Sequence, residues 1–268
     1  MKRSVVIAAL LSLVTATSAL AEHKLLVTTV PDPGKVETRV DVAYSYAEGK
    51  LNGEKISDEK SGAVAFVGVG VADGLKLSVS LPYTFVQHEE GVKRDGFGDI
   101  TLGARYIPTK SLVKLPFDAA VGIDWKTTSA STGEEDEGTG RNDYAPYLAV
   151  SRNYHTFIPY VKYQPEFIVK QHRGQTIHNL TAGAEIEFSH HYSLDVSVKA
   201  SANGRHEGVK SSNDVEFEVV PYINVAKNLY ILPRVAYKII GDKSTVDGLA
   251  SIKDADEYTL GLGVYYLF

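Results

Sequence analysis

Glu134, Glu135, Asp136 and Glu137 form the densest run of potential metal ligands in the chain. Acidic oxygens in such a run could hold a hard divalent cation, but a solvated exterior loop uses the same residues among Gly and Ser and is the stronger reading. His190 and His191 are adjacent, whereas a metal site needs further ligands at suitable spacing. Gly96, Phe97 and Gly98 do not make a dinucleotide loop, because no helix follows them. The chain has no Cys, which removes disulfides and thiolate chemistry together. His178, beside Asn179 and on the face of Leu180 and Ala182, stands where an outer-wall lipase would carry its base. Ser197 and Ser201 fall on the opposite face by parity, so no nucleophile is in reach. The sequence therefore yields no catalytic residue, no metal ligand and no cofactor.

What remains is charge, and its placement depends on strands. Residues 257–268 read E-Y-T-L-G-L-G-V-Y-Y-L-F. Tyr258, Leu260, Leu262, Val264, Tyr266 and Phe268 form one apolar parity, while Glu257, Thr259, Gly261 and Gly263 form a small or polar one. Successive side chains of a strand point to opposite faces, so this ribbon fits lipid outside and water inside. At the other end, residues 1–21 have the three parts of a secretory signal: Lys2 and Arg3, an apolar run from Val5 to Val14, and Ala19-Leu20-Ala21 as a cleavage site. No later apolar run is long enough for a membrane helix. An exported membrane protein without such helices satisfies its backbone by closing a barrel.

Alternation bounded by turn residues marks twelve segments, at 35–46, 61–71, 75–87, 97–107, 117–127, 143–152, 157–169, 176–188, 192–202, 214–225, 229–240 and 256–268. The fold class expected is all-β: a single-chain antiparallel transmembrane barrel of about 12 strands. Links alternate in length. Those at 72–74, 153–156, 189–191 and 226–228 are tight and that at 108–116 is somewhat longer; between them fall polar stretches at 47–60, 88–96, 128–142, 170–175, 203–213 and 241–255, most of them longer. Outer-membrane barrels place short turns in the periplasm and long loops outside, so both termini are expected in the periplasm. Residues 22–34, broken by Pro31-Asp32-Pro33-Gly34, form either a periplasmic tail or a plug, and residues 35–268 form the barrel. The chain holds 16 Tyr, 9 Phe and 23 Gly, a composition suited to interfacial girdles and close inner packing, and its formal charge of -5 argues against a nucleic-acid partner.

The strand at 117–127 shows the sorting most clearly: Phe117, Val121, Ile123 and Trp125 face lipid, and Asp118, Asp124 and Lys126 face inward. The strands at 61–71 and 143–152 are ambiguous. Applied along the chain, parity lines a lumen with charges of both signs, Glu37, Lys76, Glu216 and Lys238 among them. Candidate constriction residues are Arg39, Asp41, Asp99, Arg105, Asp124 and Lys126. Lys162, Glu185, Asp195, Lys199, Glu218 and Arg234 complete the set. Salt bridges that prop the wall and a mixed-charge filter for solutes are both compatible with such a lumen. Inward Tyr160, Tyr222 and Tyr265 would narrow it.

Gly98-Asp99-Ile100-Thr101-Leu102-Gly103-Ala104-Arg105-Tyr106 carries a recognisable pattern. It resembles a run in the bacterial outer-membrane transporter family of the MetA pathway of phenol degradation. Residues 33–37 leading into Tyr44-Ser45-Tyr46, and the 131–140 loop followed by Asn142-Asp143, match the same pattern. That family's Lys-Pro-Thr-Gly element is replaced here by Lys126-Thr127-Thr128 and Ser131-Thr132-Gly133. The resemblance implies a twelve-stranded channel for small solutes, aromatic or hydrophobic compounds among them. Gly263, Tyr266 and Phe268 resemble the C-terminal signal read by the barrel-assembly machinery.

The leading functional expectation is a passive channel of the cell outer membrane, with lipid and lipopolysaccharide around it and a small-molecule solute within. The alternatives are a non-conducting barrel that binds or adheres through loops 47–60, 128–142 and 241–255, and an outer-membrane lipase.

Overall fold

Strict alternation of outward apolar and inward polar side chains rolls the chain into one antiparallel sheet. The computed structural model describes residues 28–89, 92–108, 116–130, 141–169, 175–189, 191–205 and 209–268. The strands are β1 (Val36–Leu51), β2 (Glu54–Ala72), β3 (Leu75–Glu89), β4 (Val92–Phe97), β5 (Thr101–Tyr106), β6 (Asp118–Lys126) and β7 (Asn142–Ser151). They continue as β8 (Phe157–Val169), β9 (Gln175–Ser189), β10 (Tyr192–Asn203), β11 (Ser212–Ala226), β12 (Leu229–Ile240), β13 (Lys243–Ser244) and β14 (Ser251–Leu267).

Each strand pairs with its neighbour, and β1 pairs with β14 from Glu37↔Leu267 to Leu51↔Ile252, which closes the wall. Both β4 and β5 pair with β3 and together make one wall strand, while β13 is a spur on β14. Twelve strands therefore form the barrel. Closure leaves no sheet edge, the condition for a β-structure in hydrocarbon. Both ends of the wall meet at one rim, where the Phe268 amide donates to the Val36 carbonyl over 2.8 Å. This is called the terminal rim below, and the opposite end the loop rim.

The outer face is apolar along its height. Val40, Val42, Leu260, Leu262 and Val264 are between 45% and 60% exposed, a surface that water would penalise and lipid would not. Rings gather toward both rims: Tyr266 and Phe268 pack edge-on at 4.5 Å at the terminal rim, and Trp125 stacks on Tyr144 toward the loop rim. Such belts suit the two lipid–water interfaces.

Several expected links are strand instead. Residues 47–60 form a hairpin in which β1 and β2 run on to Leu51 and Glu54. Its turn is Asn52-Gly53, with φ of 51° and 92°, and positive φ at both central residues defines the two-residue turn that Asn-Gly favours. β3 runs to Glu89 and β4 starts at Val92, so much of 88–96 is also paired. In 241–255, β13 and the start of β14 add two more short rungs.

The strand expected at 97–107 breaks at Gly98-Asp99-Ile100. Its groups are taken up by the chain after β6: the Thr127 amide donates to the Ile100 carbonyl at 2.8 Å, and the Ala130 amide to Asp99 Oδ1 at 3.0 Å. Residues 1–21, the acidic run Glu134 to Glu137, and His190 lie outside the described residues.

Candidate functional site: the charged lumen

Glycines on the inner wall decide where the large polar side chains lie. Gly68 of β2 is opposite Glu37 of β1, and Gly70, next on the same face, is opposite Lys76 of β3; a side chain at Gly68 would collide with the Glu37 carboxylate. Without one, Lys76 Nζ donates to Glu37 Oε1 at 2.8 Å across the intervening strand. Tyr265 Oη donates to the other carboxylate oxygen at 3.3 Å. The same device recurs: the Tyr147 ring lies over Gly122, Tyr160 over Gly183, and Asp41 against Gly263.

The terminal half of the lumen is tightly filled. Arg39, Lys76, Arg105, Glu185 and Asp195 are all buried, as are Tyr147, Tyr160 and Tyr222. Two inward rings are each flanked by two cations. Arg39 and Lys76 lie 5.8 and 5.3 Å from the centroid of Phe66, and Arg105 and Lys162 lie 5.5 and 4.6 Å from that of Tyr147. Each such contact is worth about 0.5–2 kcal/mol, more as water is excluded. Arg105 Nε also donates to Tyr147 Oη at 2.7 Å, and Tyr160 Oη to Asp195 Oδ1 at 2.8 Å. Arg39 Nε pairs with Asp41 Oδ2 at 2.7 Å.

From the middle of the lumen toward the loop rim several inward charges keep some exposure, although Asp143, Asp214 and Lys238 among them are buried. Asp41 is 23% exposed, Lys126 25%, Lys199 17% and Arg234 14%. Arg234 binds Glu218 closely and approaches Glu216 at 3.5 Å, with Lys199 a further 3.9 Å from Glu216. Across the lumen, Lys126 and Arg141 both approach Asp143, at 3.3 and 3.4 Å, and Gln164 Nε2 donates to Asp124 Oδ2 at 2.9 Å. These side chains can exchange a protein partner for a solute or water because they retain exposure.

The expected residues thus divide. Arg39 with Asp41, and Arg234 with Glu218, are brought into direct pairs. Arg105 and Asp195 are each bonded to an inward Tyr, and Lys162 lies over one. Glu185 is buried in the terminal half, whereas Lys126, Asp124 and Lys199 line the lumen from its middle toward the loop rim. Asp99 sits at the wall break, where it holds the chain entering the 128–142 loop. Phe66 and Tyr147 were not singled out by sequence reasoning, since both lie on the two strands whose parity was ambiguous. On the outer wall, Tyr163 Oη lies 2.8 Å from His178 Nδ1 with the rings stacked, so the partner of this histidine is a phenol rather than a serine.

No family model and no curated protein sequence matches the chain. Solved structures do. An outer membrane channel from Pseudomonas putida F1 superposes with a TM-score of 0.71 at 11% identity, covering 90% of this chain and 98% of that one. The fold is that of an outer-membrane barrel. The translocator domain of the autotransporter NalP from Neisseria meningitidis gives a TM-score of 0.56 at 11% identity, with 98% and 97% covered. The NanC porin gives 0.50 at 13% identity, with 83% and 98% covered. At such identities the likeness lies in the barrel alone, and what this one carries depends on its own lumen.

Proposed function

We propose that the protein is a passive outer-membrane channel through which small solutes move down their gradients, without chemistry or cofactor. The observation that carries this reading is the partly exposed, mixed-charge set of Asp41, Lys126, Lys199 and Arg234, running from the middle of the lumen toward the longer links. A wall whose only task was to prop the barrel would gain most from complete burial and pairing. A filter needs charges that a passing solute can reach. The shorter links and both ends of the wall lie at the terminal rim, which supports a periplasmic position for that rim. Entry is then from the loop rim, and the C-terminal strand with Gly263, Tyr266 and Phe268 serves as the signal to the assembly machinery.

The resemblance around Gly98 to Tyr106 supports small aromatic or hydrophobic compounds as cargo, within a family named for phenol degradation. The folded protein in planar bilayers is expected to give conductance steps, and liposomes containing it to swell in small solutes. Folded barrels that give neither would sink the channel reading.

One observation favours the second reading, a non-conducting barrel that works through its loops: the tight filling of the terminal half by Lys76, Arg105, Tyr147 and Tyr160. The same bilayer measurement separates the two.

A further inference from the structure

The stretch before β1 does not hang free of the barrel. The Gly34 amide donates to the Gly70 carbonyl of β2 at 2.8 Å, and the Gly70 amide returns the bond to Lys35 at 3.0 Å. Gly70 has no side chain to obstruct the Pro31 and Asp32 carbonyls, which lie against the position a Cβ would take. The residue before Pro31 has already reached other strands. Val30 is buried with Ala120 of β6, Ala149 of β7 and Ile107, which follows β5. Ser151 Oγ of β7 donates to Thr28 Oγ1 at 2.9 Å, and Thr28 is itself buried.

Ala120 and Ala149 face each other in register on the inner wall, and neither is exposed at all. The path from Gly70 to Ser151 therefore leaves β2, passes inside β3 and β5, and ends on β7. Residues 32–35 turn at Gly70, where the Lys35 amide donates to the Asp32 carbonyl at 2.9 Å, so residues 28–31 cover the distance from β2 to β7. Four residues reach about 13–14 Å at most. Residues 28–34 are thus a strap that cuts across one side of the mouth at the terminal rim.

We propose that this strap is a closure: it holds the terminal end of the lumen shut, with Val30 as its latch in the niche of Ala120 and Ala149, and its release opens the path. The proposal rests on the channel reading. Three features favour a device over an incidental contact. The niche is floored by two alanines whose larger neighbours in either strand would fill it. Beside the latch the Ser151–Thr28 contact is a pair of hydroxyls, which water can replace at small cost. At its near end it is pinned by the Gly34 and Lys35 bonds, with Gly34 at a φ of 82°, so release of Val30 and Thr28 would leave a hinge rather than a detached tail.

The chain has no Cys, so a Thr28→Cys/Ser151→Cys variant contains one thiol pair, at the two ends of the hydroxyl contact. A second variant, Val30→Asp, places a charge in the alanine niche and should expel the latch. Both are compared with the unaltered protein in planar bilayers, with heat-modifiable gel migration to verify that each barrel is folded. The oxidised pair is expected to conduct several-fold less than the same protein after reduction, and Val30→Asp several-fold more than the unaltered chain. Failure of the disulfide to form in the folded barrel would remove the strap from its place on β7. Equal conductance in the unaltered protein, the oxidised pair and Val30→Asp would overturn the closure while leaving the channel reading intact. Folded variants that are all silent, the reduced pair and Val30→Asp included, would overturn both.

Discussion

The two halves of the lumen are built from the same side chains and differ in how those are held. In the terminal half, Glu37 and Lys76 are 1% and 2% exposed and meet across the glycines of β2. In the loop half, Lys126 and Asp143 meet at 3.3 Å with the lysine a quarter exposed. The first arrangement places ions where losing one partner strands the other in a dry site. The second leaves water as a standing alternative, so a partner can be exchanged at little cost. Charge alone does not distinguish a prop from a filter; the solvent that remains beside it does.

That contrast is sharpest at the Glu37–Lys76 pair. Lys76→Met should cost about 3–5 kcal/mol of barrel stability in denaturant titration, because the Glu37 carboxylate keeps only the Tyr265 hydroxyl among the bonds described above. Adding Glu37→Gln should recover most of the loss. A single-variant cost under about 1 kcal/mol would erase the distinction between the halves.

Glycines give a second contrast. A Cβ at Gly122 would overlap the Tyr147 ring and the Ala104 carbonyl, while one at Gly261 would come no closer than 3.2 Å to any neighbour. Gly122→Ala should therefore destabilise by about 1–3 kcal/mol, and Gly261→Ala by distinctly less, in the same titration.

Neutralisation in the loop half should do the opposite of Lys76→Met. Lys126→Gln leaves Asp143 with Arg141, so stability should change by less than about 1 kcal/mol. The reversal potential in a salt gradient should move toward cation preference, since a reachable positive charge has been removed. Unchanged preference would transfer Lys126 to the propping class.

The smallest effect lies where the loop half is itself dry. Lys243 at the loop rim is buried beside Ile252, and burial pushes its ammonium down to about 8, with Lys238 adding to the fall and Asp214 and Glu257 opposing it. Its folded value is below the ordinary lysine value, so the unfolded chain binds more protons between them, and stability should rise from about pH 8 toward pH 10.5. Hydrogen exchange of the β13–β14 rungs should slow over that interval, and Lys243→Met should abolish the trend.

Much of this wall was legible in the sequence, because lipid enforces alternation on strands such as β6 and β10. Inward Tyr160, Tyr222 and Tyr265 followed from parity alone. The 47–60 segment was not read as strand, although Asn52-Gly53 between alternating residues is a hairpin signal; its polar composition masked a ladder that rises clear of lipid. Phe66 escaped because the inner face of β2 is apolar where Arg39 and Lys76 flank a ring. Tyr147 escaped because Ala145 and Ala149 beside it say nothing about parity. The partners of the charged residues were further out of reach. Glu37 and Lys76 meet because the registers of β2 put Gly68 opposite the one and Gly70 opposite the other, and register is a property of strand pairs that no single strand's composition carries.

The seam between β1 and β14 has a kinetic consequence. Its rungs join the first wall strand to the last, so the contact that seals the sheet has nearly the greatest sequence separation the chain allows. Contacts of that kind form late and slowly, since loop entropy is lost before pairing repays it. Until Phe268 reaches Val36, β1 and β14 each present a raw edge able to pair with another chain. The interval between synthesis and sealing is therefore the period when this protein is most prone to aggregate, and an escort that covers either edge would protect it at that stage more than any change within the finished wall.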